Sequence, residues 1–325
     1  MSDLYRYLTT EIAADYTDGH LSRREALRRL GLMGLSAAAS ASLLAGCGAS
    51  AQAVDPSERE KPGCGGWQGE NLPQAPASSV SAVPPDAAAS DAAAGRRPPS
   101  LPTEAIHFAA SDGVRIGGAY AAPSKTRGAV LVIHENKGLN PHTRELAGRF
   151  AHAGYAALAI DLLSREGGTD SLGDPANATA ALAKVAPERF LVDLRAGLDE
   201  LARRQPGAKL GAAGFCFGGA MTWRLIAAKD PRLAAAAPFY GPMPEGSDFV
   251  GAKTAVLGVF AEVDDRVNAT RDAAKAALEK AGLVHEVVSF PGQHAFMNDT
   301  GPRFHPESAA AAWAKLLAWF GAHLG

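Results

Sequence analysis

The chain has 325 residues, 47% of them hydrophobic and 20% charged, which is enough apolar material for a sizeable core. Lysine plus arginine (32) nearly balances aspartate plus glutamate (34), so the net charge is -2 and no basic field exists to hold a nucleic acid. Cys47, Cys64 and Cys216 are too few and too scattered for a disulfide framework or a cysteine-rich zinc site. No apolar run reaches the ~20 residues that a membrane-crossing helix needs, which excludes a multi-pass membrane protein.

Near the start, Ser22-Arg23-Arg24-Glu25-Ala26-Leu27-Arg28-Arg29 precedes a weakly apolar Gly/Ala-rich run that ends at Cys47. Basic residues, a short apolar segment and then small residues form an export pattern. Arg23-Arg24 resembles a twin-arginine signal, and Leu44-Ala45-Gly46-Cys47 resembles a bacterial lipobox. That resemblance implies an export signal over 1–46, cleavage ahead of Cys47, lipidation of its thiol, and a membrane-anchored protein outside the cytoplasm. The other reading is a short amphipathic or buried helix, and Asp3, Glu11, Asp15 and Asp18 suit a basic leader poorly.

From 47 to 103 the composition turns to Pro, Ala, Ser and Gly, too little apolar surface to offset ordering entropy, so a disordered or semi-extended tether is expected. Cys64 within it is expected to be an exposed thiol. From 104 to 325 apolar runs alternate with helical periodicity. Strands are expected at Gly128 to His134, Tyr155 to Leu163, Lys209 to Cys216, Leu233 to Tyr240, Ala255 to Ala261 and His285 to Phe290. Helices are expected at Pro141 to Ala153, Glu188 to Arg204, Gly218 to Lys229, Ala269 to Ala281 and Pro306 to His323. Continuous apolar strands alternating with helices imply a three-layer α/β domain, a mostly parallel sheet with helices on both faces.

The most informative string is Gly214-Phe215-Cys216-Phe217-Gly218-Gly219, which ends a strand and opens a helix. It has the form of a nucleophile elbow with cysteine in the place of serine. Small neighbours let the backbone turn tightly, and the helix N-terminus favours a thiolate and offers free N–H groups to an oxyanion. A thiol nucleophile needs a base, and the base an orienting acid. Ala261-Glu262-Val263-Asp264-Asp265-Arg266-Val267 and Pro291-Gly292-Gln293-His294-Ala295-Phe296 each follow a strand, in the order nucleophile, acid, base. His294 is the best placed histidine, ahead of His285 and His305; spacing alone does not choose between Asp264 and Asp265. His134-Glu135-Asn136-Lys137-Gly138 is not a zinc HExxH helix, because Gly138 stands where the second histidine would be. Glu135, at a strand end, is placed to take a thiol proton or hold a nearby cation.

Together HENKG, GFCFGG, AEVDDRV and PGQHAF resemble the dienelactone hydrolase (carboxymethylenebutenolidase) family of α/β-hydrolases, as does Ala159-Ile160-Asp161-Leu162-Leu163-Ser164-Arg165. The resemblance implies a Cys216-His294-Asp264 hydrolase that opens a small lactone or ester through a cysteinyl acyl-enzyme, with no cofactor and no metal. It implies that Glu135 takes the thiol proton, that the N–H groups of Asn136 and Phe217 form the oxyanion hole, and that Arg165 pairs with a substrate carboxylate. Where the family's dienelactone-cleaving members carry a second carboxylate-binding arginine after the histidine, this chain reads Met297-Asn298-Asp299, and Arg303 is the candidate to replace it. A broader esterase or thioesterase, or a tethered lipoprotein that only binds a small acid, are the competing functions; binding alone would require none of Cys216, Asp264 and His294.

Overall fold

The computed structural model describes residues 3–47 and 97–325. Cys64 and most of the proline-rich stretch lie outside them, and nothing is described of the Cys47 side chain.

Among the described residues eight strands make one sheet: β1 (Glu104–Ala109), β2 (Arg115–Ala121), β3 (Ala129–Ile133), β4 (Ala156–Ile160), β5 (Leu210–Phe215), β6 (Leu233–Phe239), β7 (Ala255–Val263) and β8 (His285–Gln293). Their order is β1-β2-β4-β3-β5-β6-β7-β8; β2 runs antiparallel to β1 and β4, and all other pairs are parallel. Every residue of β3, β4 and β5 is buried, which is why they read as unbroken apolar runs. The β1–β2 hairpin was not among the expected strands. Only Ile106 and Phe108 of β1 point inward, and Gly117-Gly118 interrupts the apolar sequence of the continuous strand β2. A Cβ on Gly118 would stand 2.9 Å from the Ala159 carbonyl oxygen, so the glycine is what lets β2 lie against β4.

Helices cover both faces. The expected ones are α4 (Pro141–His152), α6 (Pro187–Arg204), α7 (Phe217–Ala227), α9 (Arg271–Lys280) and α10 (Pro306–His323); α5 (Pro175–Ala183) and the short α8 (Asp265–Asn268) were not foreseen. Proline opens α4, α5, α6 and α10, and the side chains of Asn140, Asp174 and His305 cap α4, α5 and α10. On α6, Phe190, Leu194, Leu198 and Leu201 form the buried stripe of an amphipathic helix, each contributing roughly 1.5–3 kcal/mol by burial.

The first described residues form three helices, α1 (Asp3–Thr17), α2 (Arg23–Leu32) and α3 (Ala37–Cys47), and they pack on the domain. Leu4, Tyr7, Leu8, Glu11 and Ile12 recur at helical spacing along the buried face of α1. Ser22 caps α2 by accepting from the Glu25 N–H at 3.2 Å, and Arg28 ties α2 to Asp174 at the head of α5. Arg23 and Arg24 remain exposed. No helix among the described residues is long and apolar enough to cross a membrane.

Candidate active site

Parallel strands bring their carboxyl ends to one edge of the sheet, where loops can gather side chains that are distant in sequence. His134-Glu135-Asn136 follows β3, Cys216 follows β5, Asp264 follows β7 and His294 follows β8. Cys216 has φ 56° and ψ -115°, a conformation that costs a non-glycine residue about 1–3 kcal/mol. The turn is held by the Cys216 N–H on the Phe239 carbonyl (3.0 Å) and the Cys216 carbonyl receiving the Ala220 N–H (3.2 Å). Its tightness requires glycine at Gly214 and Gly218: added Cβ atoms would lie 2.1 Å from the Gly218 oxygen and 2.3 Å from the Ile133 oxygen. Phe217 is the first residue of α7, so its N–H has no acceptor within the helix.

His294 Nδ1 donates to Asp264 Oδ2 at 2.6 Å, with both side chains buried. Asp264 is buried and Asp265 exposed, which resolves the choice that spacing left open. Asp264 also caps α8 by accepting the Val267 N–H, so one carboxylate fixes the loop and the imidazole together. The Tyr240 ring stands edge-on to His294, 5.3 Å between centroids. Glu135 is buried; its Oε2 accepts from Asn298 Nδ2 at 2.7 Å, while Oε1 has no partner among the described residues. This gives Asn298, at the departure from the family pattern, a task of its own, and Asp299 beside it is tied to Arg149 (2.6 Å) and His142 (3.1 Å).

Two of the residues assigned by motif sit differently. Asn136 lines the same cavity as Cys216, Glu135 and His294, whereas Arg165 is not brought there. Its guanidinium is engaged by Asp193, which is fully buried, and by Asp112 in the β1–β2 turn, at 2.7 Å each. His134 is a framework histidine: Nδ1 donates to the Glu135 carbonyl, Nε2 accepts the Leu162 N–H, and burial lowers its pKa.

Motif reading missed the contribution of α1. The Tyr7 hydroxyl lies 3.2 Å from the Cys216 sulfur, and Glu11 Oε1 lies 3.6 Å from His294 Nε2. One ligand atom each of Glu11, Cys216 and His294 fall within 4.8 Å of one another. Such a set has the residue types of a zinc site, but Arg266 and Arg303 on Glu11 already supply positive charge there. Burial raises Glu11, but Arg266, His294 and Arg303 outweigh it and hold its pKa down to about 2. Burial opposes charge on His294, yet Glu11, the Cys216 sulfur and Asp264 together push its pKa well above the ordinary value. Arg303 also meets Asp15 (2.8 Å) and Asp18 (2.7 Å). The cavity that remains has a volume of about 210 Å³.

Residues 116–324 match the sequence model of the dienelactone hydrolase family, so α1–α3 lie outside the match. A carboxymethylenebutenolidase candidate of Salmonella typhi is 34% identical over 227 residues, 63% of this chain and 82% of that protein. Its counterpart from Yersinia pestis is 32% identical over 252 residues, 69% of this chain and 91% of that protein. Among solved structures, a candidate dienelactone hydrolase of Klebsiella pneumoniae superposes with a TM-score of 0.60 at 29% identity, over 69% of this chain and 100% of its own. A dienelactone hydrolase-like promiscuous phosphotriesterase from metagenomic libraries gives 0.55 at 26% identity, over 69% and 100%.

Proposed function

The chain belongs to the dienelactone hydrolase family, and from that premise we propose that it opens a lactone or ester through a cysteinyl acyl-enzyme built on Cys216, His294 and Asp264. The observation that carries the reading is the buried 2.6 Å bond from His294 to Asp264, in a group where the imidazole, the sulfur on the elbow and the Glu11 carboxylate each bring one atom within 4.8 Å of the others. In the first step the Cys216 sulfur forms a bond to the substrate carbonyl carbon. The oxyanion is received by the N–H groups of Asn136 and Phe217. Collapse breaks the carbon–oxygen bond to the leaving group, which takes a proton from His294. Water, deprotonated by His294, then cleaves the thioester and restores the thiol. Glu135, whose Oε1 has no partner among the described residues, accepts the thiol proton in the attacking step and returns it to the sulfur when water cleaves the thioester, and His294 enters the first step as the imidazolium that protonates the leaving group.

The test is turnover of a panel of lactones, aryl esters and thioesters by the intact chain and by Cys216→Ala. Turnover by the wild type that vanishes in the variant, with an acyl adduct on Cys216 in the mass spectrum, supports the mechanism. Retained activity in the variant refutes it.

We also infer that residues 1–46 direct export and that Cys47 becomes the lipidated first residue of a membrane-anchored form; the exposed Arg23 and Arg24 support that reading. Mass spectrometry of the native protein should find a chain beginning at Cys47 with added acyl mass. A product that still carries Asp3 would refute it.

A further inference from the structure

Helix α1 covers the nucleophile with a segment that supplies none of the groups the proposed chemistry uses and that lies outside the family match. Cys216 is 3% exposed, and the Tyr7 hydroxyl stands 3.2 Å from its sulfur. A carbonyl carbon must come to about 3–3.5 Å of a nucleophile before a bond can form, so on that side the phenol holds the place of a reactant. On the other side the cavity of about 210 Å³ is walled by Glu11, Ile12, Asp15, His20, Leu21 and Arg29, from α1, α2 and the turn between them. That volume is below the ~300–1,000 Å³ of ordinary small-molecule sites.

The docking is substantial but imperfect. Leu4, Leu8 and Ile12 bury one face of α1. Arg266 donates to the Tyr7 carbonyl at 3.3 Å and lies over the Tyr7 ring, 4.6 Å from the centroid, while Arg303 meets Asp15 and Asp18. The seam at the site itself is not closed. His294 Nε2 is buried without a hydrogen-bond partner among the described residues, and Glu11 Oε1 stops 3.6 Å from it. Buried polar atoms ordinarily have partners, and water would satisfy this one once the helix moved away.

We propose that α1 is a detachable plug that keeps Cys216 latent, with Tyr7 as the side chain seated on the sulfur, and that the thiol reacts only from the state in which the plug has moved off. The rate of any reagent at the sulfur is then its intrinsic rate multiplied by the open fraction. The inference rests on the hydrolase reading for what the uncovered thiol does, and not for the covering.

The experiment measures alkylation of Cys216 in the intact chain by iodoacetamide, a small neutral reagent. The sulfur bonds the methylene carbon, iodide leaves and the thiol proton goes to the buffer; peptide masses count Cys47 and Cys64 apart. Leu8→Asp places a charge on the buried face of α1 and lines no part of the catalytic cavity. It should raise the Cys216 rate at least about tenfold, the factor by which losing one buried leucine shifts a closed–open balance. Tyr7→Ala removes the cover and leaves Leu4, Leu8 and Ile12 to hold the helix; it should raise the rate as well, and it decides the matter if Leu8→Asp fails to fold. Trp223, Trp313 and Trp319 are buried in the domain and α1 carries no tryptophan, so an unchanged tryptophan emission spectrum shows that the domain has kept its fold. No acceleration in either variant, or acceleration only where the emission has shifted to that of an unfolded chain, overturns the proposal. With p-nitrophenyl acetate, kcat/KM should rise in Leu8→Asp by the same factor as alkylation, since both draw on one open fraction. Accelerated alkylation with no ester turnover in any chain would refute the hydrolase reading alone.

Discussion

Asp264→Asn tests the catalytic arrangement at its best defined contact. The side chains of His294 and Asp264 are 6% and 4% exposed, so their 2.6 Å bond is a desolvated one. Asparagine keeps an oxygen to cap α8 through the Val267 N–H, and the fold should survive. It removes the charge that supports an imidazolium and offers an N–H to Nδ1, which favours the wrong tautomer. Truncating one partner of a buried ion pair costs roughly 3–5 kcal/mol. If that cost falls on the transition state, kcat drops by roughly 10² to 10⁴. Glu11 facing the other nitrogen softens the loss toward the lower end. The assay is p-nitrophenyl acetate hydrolysis across substrate concentration, with the melting temperature measured alongside. Since Asp264 does not line the cavity, KM should stay within about threefold, as for an interaction made only in the transition state. A folded variant that loses less than about fivefold in kcat, or loses its activity through KM, would refute the reasoning.

Gly218→Ala should abolish activity and lower stability by at least about 1–3 kcal/mol, because the added methyl meets the backbone oxygens of Ile133 and His134 at 2.3 and 2.7 Å; thermal unfolding and turnover together check this. Arg165→Ala should destabilise by about 2–4 kcal/mol, since it strands the fully buried Asp193, with part of the cost screened at the partly exposed arginine. It should affect anionic and neutral esters alike, and a loss confined to anionic substrates would show that the guanidinium reaches substrate after all. In pH profiles of deacylation, the step in which His294 must accept a proton from water, Glu11→Gln should move the ascending limb to lower pH. Burial disfavours charge on His294, and the groups that overcome it are Glu11, the Cys216 sulfur and Asp264, so losing one carboxylate frees the base at a lower pH. The linked stability has the opposite sign at each end: the His294 contribution is complete below its ordinary pKa and fades as pH rises through the raised one. The Glu11 contribution is complete above its ordinary pKa and fades as pH falls toward about 2, so unfolding midpoints should decline at both extremes.

The inner strands were legible because burial on both faces demands continuous apolar residues, and the elbow because its glycines are sterically obligatory. The same reasoning explains the omissions. β2 carries Gly118 for the sake of β4, a requirement that exists only once the two strands meet. Helix α5 is built from small residues with no strong apolar stripe, so its sequence, Pro175-Ala176-Asn177-Ala178-Thr179-Ala180-Ala181-Leu182-Ala183, reads as undirected. Asp264 and Asp265 are neighbours with the same chemistry, and only the turn into α8 decides which one faces His294. Arg165 carries a motif whose local context is intact, yet its partners, Asp112 and Asp193, come from elsewhere in the chain. The acidic residues of α1 did stand out as ill suited to a basic leader. Tyr7, Glu11 and Asp15 even repeat at intervals of four, but Arg266 and Arg303 are more than 250 positions away and no local pattern names them.

The placement of α1 joins the export and catalytic readings in one physical argument. A plug carried on the same chain competes at an effective concentration in the millimolar range or above, without any gain in intrinsic affinity. Any ester that reaches the sulfur must first move Tyr7, whose hydroxyl stands 3.2 Å from it. Processing ahead of Cys47, as we propose, would sever α1 through α3 from the domain. The competition would then become bimolecular, and the released helices would be diluted away. The same cut would leave the Arg303 guanidinium and the His294 imidazole, which line the cavity, with no carboxylate from α1 beside them. Export and exposure of Cys216 would thus follow from a single cleavage, since the residues that cover it from α1 belong to the segment proposed to be removed.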